Sequence, residues 1–228
     1  MNEQPLCSIS KLLLVFFASV LLAVASCFAA DSSAVGANDA LKQLMDGNAR
    51  FAAAKPTTSK SQDIVRRRAD LTSGQKPFAI VVGCSDSRVP PELIFDVGLG
   101  QIFVIRTAGE VVDTVALGSV EYAVEHLGTS LIVVLGHESC GAVSAAVSGA
   151  NEPGHIADVL KAIRPAVDET KGKPGDPVDN AVRANALDVV KQLRTTAPII
   201  AERVQSGKVM IVGARYDLHT GKVELLNQ

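Results

Sequence analysis

The chain has 228 residues and a formal net charge of -2 at pH 7, which suits one domain with a sizeable core. That charge balance gives no electrostatic case for a nucleic-acid partner. There is no tryptophan and no long low-complexity tract.

Residues 1–30 read as a signal peptide. Leu12 to Ala25 is an apolar run broken only by Ser19, preceded by Lys11 and followed by small residues and then Asp31-Ser32-Ser33. A charged start, an apolar middle and a small-residue cleavage zone are the layout of an export signal. A membrane span needs about 20 apolar residues, so the run is short for one; extended to Ala30 it becomes a marginal, uncleaved anchor. Val24-Ala25-Ser26-Cys27 resembles a bacterial lipobox, with cleavage before Cys27 and lipidation of that cysteine. Ordinary cleavage after Ala29 competes with it. Both routes place the mature protein beyond the cytoplasmic membrane, periplasmic or lipid-anchored, with residues 35–228 as the folded domain.

Asn38 to Ala54 is expected to be a helix, capped by Asn38 or Asp39, with Leu41, Leu44, Met45 and Phe51 near helical spacing. Residues 55–62 are rich in Pro, Ser and Thr and read as a loop. Ile64 to Leu71 carries Arg66-Arg67-Arg68, expected on a solvated helix face or a partner contact. Phe78 to Gly83 is a short apolar run of the kind that forms a strand buried on both faces. Gln101 to Arg106, Ser130 to Gly136 and Lys208 to Ala214 are three further strands. Thr114 to Leu127 has helical spacing, and Ile156 to Val167 and Pro177 to Gln205 supply more helix. Strands alternating with helices define an α/β fold with a mainly parallel central sheet flanked by helices.

Two strands end on reactive residues. Cys84-Ser85-Asp86-Ser87-Arg88 follows the first, and His137-Glu138-Ser139-Cys140 follows the third. In such sheets ligands bind beyond the carboxyl ends of the strands. Cys84, His137 and Cys140 can hold a metal through two thiolates and an imidazole. That donor set favours zinc over magnesium or calcium, and three protein ligands leave a position open for water. A zinc-bound hydroxide formed there at neutral pH would attack an electrophilic carbon. Arg88 can fix the Asp86 carboxylate through a forked pair. Asp86 then either orients the attacking oxygen or takes the fourth metal position itself. By count alone, two cysteines in an oxidising compartment also suit a Cys84–Cys140 disulfide.

The pairing of Cys-Ser-Asp-Ser-Arg with His-x-x-Cys-Gly, each after an apolar strand, resembles the β class of carbonic anhydrases from about Asn38 to Leu226. The resemblance implies reversible hydration of CO2 to bicarbonate and a proton, with one Zn²⁺ per chain on Cys84, His137 and Cys140. It makes Asp86 and Arg88 the catalytic dyad. Gln75, Phe103 and Tyr122 match the substrate-binding glutamine and pocket aromatics of the plant-like subtype. It further implies a homodimer or tetramer with the first helix laid across the partner. Hydrolysis of CS2 or COS on the same scaffold, or a non-catalytic zinc-binding module, are the alternatives. Arg106-Thr107-Ala108-Gly109-Glu110 departs from the family's usual run, with Thr and Glu where two other side chains are common, and is expected to alter the pocket rim or a subunit contact. His126, His155 and His219 are expected at the surface.

Overall fold

The strands are β1 (Ala79–Cys84), β2 (Ile102–Thr107), β3 (Leu131–His137), β4 (Met210–Tyr216) and β5 (Val223–Leu225). In this computed structural model, which describes residues 35–58 and 64–227, they form one sheet in the order β2-β1-β3-β4-β5. Neighbours among the first four run parallel, and β5 returns antiparallel on β4. The signal peptide and Cys27 lie outside the described residues. Among the described residues, no helix is long and apolar enough to cross a membrane.

β1 and β3 are buried at every position, because helices cover both faces of the sheet. Side chains alternate along a strand. Val81, Leu131, Val133 and Leu135 therefore enter one apolar cluster, while Ile80, Val82, Ile132 and Val134 enter the other. The helices are α1 (Ala37–Ala52), α2 (Ile64–Asp70), α3 (Pro91–Ile94), α4 (Thr114–Glu125), α5 (Gly141–Ser148), α6 (Ile156–Thr170), α7 (Pro177–Thr195) and α8 (Ile199–Gln205). The first cluster holds Leu44 of α1, Val143 of α5 and Ile163 of α6. The second holds Val120 of α4 and Ile200 of α8. α7 serves both, through Val182 on one side and Leu193 on the other.

Several boundaries differ from the sequence expectation for physical reasons. The stretch Pro177 to Gln205 divides into α7 and α8 at Pro198, which has no N–H to continue a helix. α1 begins one residue before Asn38, so neither Asn38 nor Asp39 caps it; Asp39 lies in the first turn, where a carboxylate suits the positive end of the helix.

α1 is also packed on its own chain. Asn48, buried in the middle of this contact, donates to the carbonyls of Ile94 (3.2 Å) and Gly221 (2.8 Å) and accepts from the Val223 amide (2.8 Å). The face carrying Ala40, Leu44, Gly47 and Asn48 is therefore filled in cis. Gly47 permits this approach. A Cβ there would lie 1.8 Å from the Phe95 carbonyl oxygen and 2.8 Å from its carbon, and both are backbone atoms that cannot rotate away. Gly47→Ala is expected to destabilise the fold by about 3 kcal/mol, the upper end for overpacking, lowering Tm by roughly 6–12 °C for a domain of this size. Thermal melts at equal protein concentration check this; a shift of under a degree would show that α1 can slide freely.

Candidate metal centre

β1 lies between β2 and β3, so the chain leaves it in opposite directions along the sheet. Such a switch point opens a crevice beyond the carboxyl ends of the strands. Cys84 is the last residue of β1 and His137 the last of β3, so both reach that crevice. Ser139 then takes a left-handed turn, with φ of 52°. This brings Cys140 back to the start of α5, with its Sγ 3.9 Å from that of Cys84. Both cysteines are free thiols, which removes the disulfide alternative from this fold.

His137 is fully buried. Its Nδ1–H donates to the Glu138 carbonyl at 2.8 Å, which leaves Nε2 with a lone pair. That Nε2 is buried without a hydrogen-bond partner, and it lies with the two sulfurs in a group whose ligand atoms are all within 4.8 Å of one another. A buried orphan acceptor normally signals a missing partner. Beside two sulfurs, the partner that fits is a thiophilic cation, and the set of two thiolates and one imidazole suits Zn²⁺. The Cys84 and Cys140 sulfurs share a hydrogen bond, and the Gly109 amide donates to Cys84 Sγ at 3.3 Å. The first of these bonds does most to hold the Cys84 pKa below the usual thiol range. The same bond and burial push Cys140 up.

The second charged pair stands at the mouth. Arg88 Nε donates to Asp86 Oδ1 at 2.9 Å and Nη2 to Oδ2 at 2.6 Å, and the Arg88 amide adds a third bond at 2.9 Å. Arg88 Nη2 also reaches the Ser139 carbonyl at 3.2 Å, tying the pair to the loop that carries Cys140. Arg88 holds the Asp86 carboxyl well below the usual carboxylate range. Asp86 Oδ2 is 3.9 Å from His137 Nε2, yet both carboxylate oxygens are engaged by Arg88. The carboxylate therefore stands beside the crevice, anchored to the arginine. Beneath it, Arg106 donates through Nε to the Cys84 carbonyl at 2.8 Å and through Nη2 to the Asp86 carbonyl. One guanidinium thus fixes the loop that joins ligand to dyad.

Gln75, Phe103 and Tyr122 are placed elsewhere. Phe103 pairs with Ile80 in the β1–β2 register, whereas Cys84 pairs with Thr107. Four residues at roughly 3.3 Å each put Phe103 about 13 Å upstream of that level. Tyr122 stacks near it, with ring centroids 6.4 Å apart, and is 49% exposed. Gln75 is exposed before β1 begins. All three belong to the amino ends of the strands, away from this chain's own metal centre.

Sequence reading also misplaced Glu110. The departure at Thr107 and Glu110 is expected to alter the pocket rim or a subunit contact, whereas Glu110 is fully buried behind the ligands, with Oε1 accepting from Asn185 Nδ2 at 2.9 Å. Burial pushes its carboxyl up to about 8, against the bond from Asn185. Arg106, Gly109 and Asn185 were not singled out by sequence; only the glycine, placed between a strand and a charged residue, hinted at a special turn. His126, His155 and His219 are at the surface, as expected.

A thiolate–imidazole cradle at a switch point, with an arginine-held carboxylate beside it, defines a metal-dependent enzyme of the α/β class. The family model described as carbonic anhydrase matches residues 79–223. A carbonic anhydrase of Mycolicibacterium smegmatis is 45% identical over 190 residues, 82% of this chain and 91% of that protein. Carbonic anhydrase 2 of Mycobacterium tuberculosis is 44% identical over 191 residues, with the same coverage. Among solved structures, a tetrameric β-carbonic anhydrase of Sordaria macrospora superposes with a TM-score of 0.66 at 25% identity, over 82% of this chain and 97% of that one. The β-carbonic anhydrase CcaA gives 0.63 at 28% identity, over 82% and 99%. The chain belongs to the carbonic anhydrase family, in its β class.

Proposed function

We propose that this chain is an exported zinc carbonic anhydrase of the plant-like β subtype, acting as a homodimer or larger even assembly. Its reaction is CO2 + H2O to HCO3⁻ + H⁺, with one Zn²⁺ per chain on Cys84, His137 and Cys140. The observation that carries the reading is the buried ligand trio with its orphaned Nε2, set beside the Asp86–Arg88 pair.

Bound zinc supplies a Lewis acid that makes a water molecule acidic enough to give up a proton near neutral pH. The protein's own residues supply the rest. Asp86, ionised throughout the neutral range, would accept a hydrogen bond from the one proton left on the attacking oxygen after the water has released its other proton to solvent, and so would point a lone pair at the carbon. As that oxygen bonds to carbon, one C=O electron pair moves to a CO2 oxygen, and the negative charge of the attacking oxygen becomes that of bicarbonate. Arg88 holds Asp86 in that orientation, and Arg106 keeps the loop from drifting. Positioning of this kind is worth several orders of magnitude in rate.

Gln75, Phe103 and Tyr122 take their role from a second copy. They are the substrate amide and apolar wall of the plant-like subtype, and in one chain they face away from their own metal. β2 is an edge strand, and Val115 of α4, 78% exposed, joins Tyr122 as exposed apolar surface. Association through this face would cover the edge and can carry the three residues to the partner's crevice. For the leader, cleavage after Ala29 would yield a periplasmic protein, and cleavage before Cys27 a lipid-anchored one. The apolar run Leu12 to Ala25 supports export.

Stopped-flow CO2 hydration, with metal analysis on the same sample, tests the reading. One zinc per chain with rapid CO2 turnover is expected. Zinc without CO2 turnover would point to CS2 or COS hydrolysis or to a non-catalytic module. Val115→Arg tests the assembly. A charge buried at that face is expected to weaken association by roughly 2 kcal/mol or more, giving zinc-loaded monomers with little activity. A fully active monomer in sedimentation would remove the shared-site account.

A further inference from the structure

We propose that Asn185 and Glu110 are positioning residues for the metal centre. Asn185 grips the Gly109–Glu110 turn from behind, and so holds the Gly109 amide against the Cys84 sulfur. The proposal rests on the reading of Cys84, His137 and Cys140 as metal ligands.

The turn joins β2 to the segment before α4, and its backbone is unusual. Gly109 has φ of 63° and Glu110 φ of 44°, two successive left-handed residues. Glycine adopts this freely, whereas a glutamate carries a Cβ that disfavours it. Such a conformation persists only where surrounding contacts over-determine it. Here the contacts come from α7. The side-chain amide of Asn185, itself buried, donates to the Gly109 carbonyl at 2.8 Å and to Glu110 Oε1 at 2.9 Å. From the other side Ile163 closes on Gly109, where a Cβ would lie 2.7 Å from its Cδ1. Clamped this way, the peptide directs its N–H at Cys84 Sγ, 3.3 Å away.

The consequence is electronic as well as geometric. An N–H···S bond to a ligand thiolate draws charge off the sulfur, favours its deprotonated form and fixes its lone pairs. Partners of this kind behind a metal ligand typically control affinity by 10–100-fold. The buried Glu110 carboxyl, costly at such a place, is accounted for as the second acceptor that orients Asn185. Glu110 Oε2 has no hydrogen-bond partner, so Oε1 and its bond to Asn185 are what the side chain contributes.

The test is metal affinity and metal spectroscopy on the full folded protein, measured for the parent, Asn185→Leu, Glu110→Leu and Glu110→Gln. Chelator competition at pH 7 should show zinc held about 10–100-fold more weakly in Asn185→Leu. Glu110→Leu should lose less, and Glu110→Gln, whose amide oxygen can replace Oε1, should stay near the parent. With cobalt in place of zinc, the thiolate-to-metal band of Asn185→Leu should move to longer wavelength, because its sulfur is richer in charge. A general packing defect would not move that band. Unchanged affinity and band in a folded Asn185→Leu protein would overturn the proposal, as would Glu110→Gln losing as much as Glu110→Leu. If the leucine variants do not fold, the parent loaded with cadmium-113 decides. Coupling between the metal and the Gly109 amide proton is expected, and its absence refutes the clamp. A parent that bound no metal would instead defeat the functional reading itself.

Discussion

Asp86→Asn is expected to keep one zinc per chain and to lose CO2 hydration by about 10²–10⁴-fold in kcat/KM, the range for removing a side chain positioned on the attacking oxygen. The substitution is nearly isosteric and spares all three ligands. It replaces an anion that only accepts hydrogen bonds with an amide that also donates. Arg88, which now meets Asp86 through two side-chain bonds, would face an NH2 group at one of them. The forked pair is then lost and the orientation of the attacking water with it. The pH dependence separates this role from a simple titration. Arg88 holds the Asp86 carboxyl well below the usual carboxylate range, so Asp86 is ionised at every pH where the enzyme is assayed. The fall in rate toward acid must then arise at the metal centre, and Asp86→Asn should lower the whole profile from pH 6 to 9 without displacing its midpoint. Stopped-flow profiles with parallel metal analysis distinguish the cases. A variant with full zinc and the parent's rate would remove Asp86 from the mechanism. A displaced midpoint would mean that Asp86 titrates.

How far the sequence foretold this arrangement depended on whether the signal was local. β1 and β3 were legible because a strand covered on both faces must be apolar at nearly every position, and both runs end in turn residues. Cys84, His137 and Cys140 were legible for a related reason: three soft ligands at the ends of parallel strands have one obvious meeting place. α5 was not anticipated, because Gly141–Ser148 is built of small residues with little contrast between faces. β5 escaped because three residues carry no period. Asn185 could not be singled out at all. An asparagine within an amphipathic helix has no local mark of importance, and its value comes from a turn 75 residues upstream. Glu110 was noticed but misread, since a glutamate is expected at the surface unless a buried partner is known. Phe103 and Tyr122 show the opposite limit. Resemblance assigned them to a substrate pocket, but only the strand register reveals that one chain cannot bring them to its own ligands.

Removing the metal should abolish activity reversibly, and the strength of its return should depend on pH in a direction fixed by the two sulfurs. The hydrogen bond between the two sulfurs holds the Cys84 pKa below the usual thiol range. Cys140 carries the shared proton, its pKa pushed up by the same bond and by burial. Zinc needs both sulfurs deprotonated, so binding must expel at least the Cys140 proton. Proton release makes zinc affinity rise with pH and fall toward acid, by about tenfold per pH unit for each proton displaced. Isothermal titration of zinc into the stripped protein, repeated in buffers of different ionisation enthalpy, counts those protons directly. The expected count between pH 6 and 8 is one or more. Affinity that does not change across that range would mean that Cys140 is not a ligand. Stripped protein should also melt at a lower temperature than the zinc form, since a ligand that binds only the folded state stabilises it by mass action. Cys140→Ala should melt like the stripped protein and should bind zinc weakly, without releasing the Cys140 proton. It lacks the proton to expel and the second thiolate to offer, and its remaining Cys84 and His137 would leave zinc two protein ligands where a catalytic site needs three.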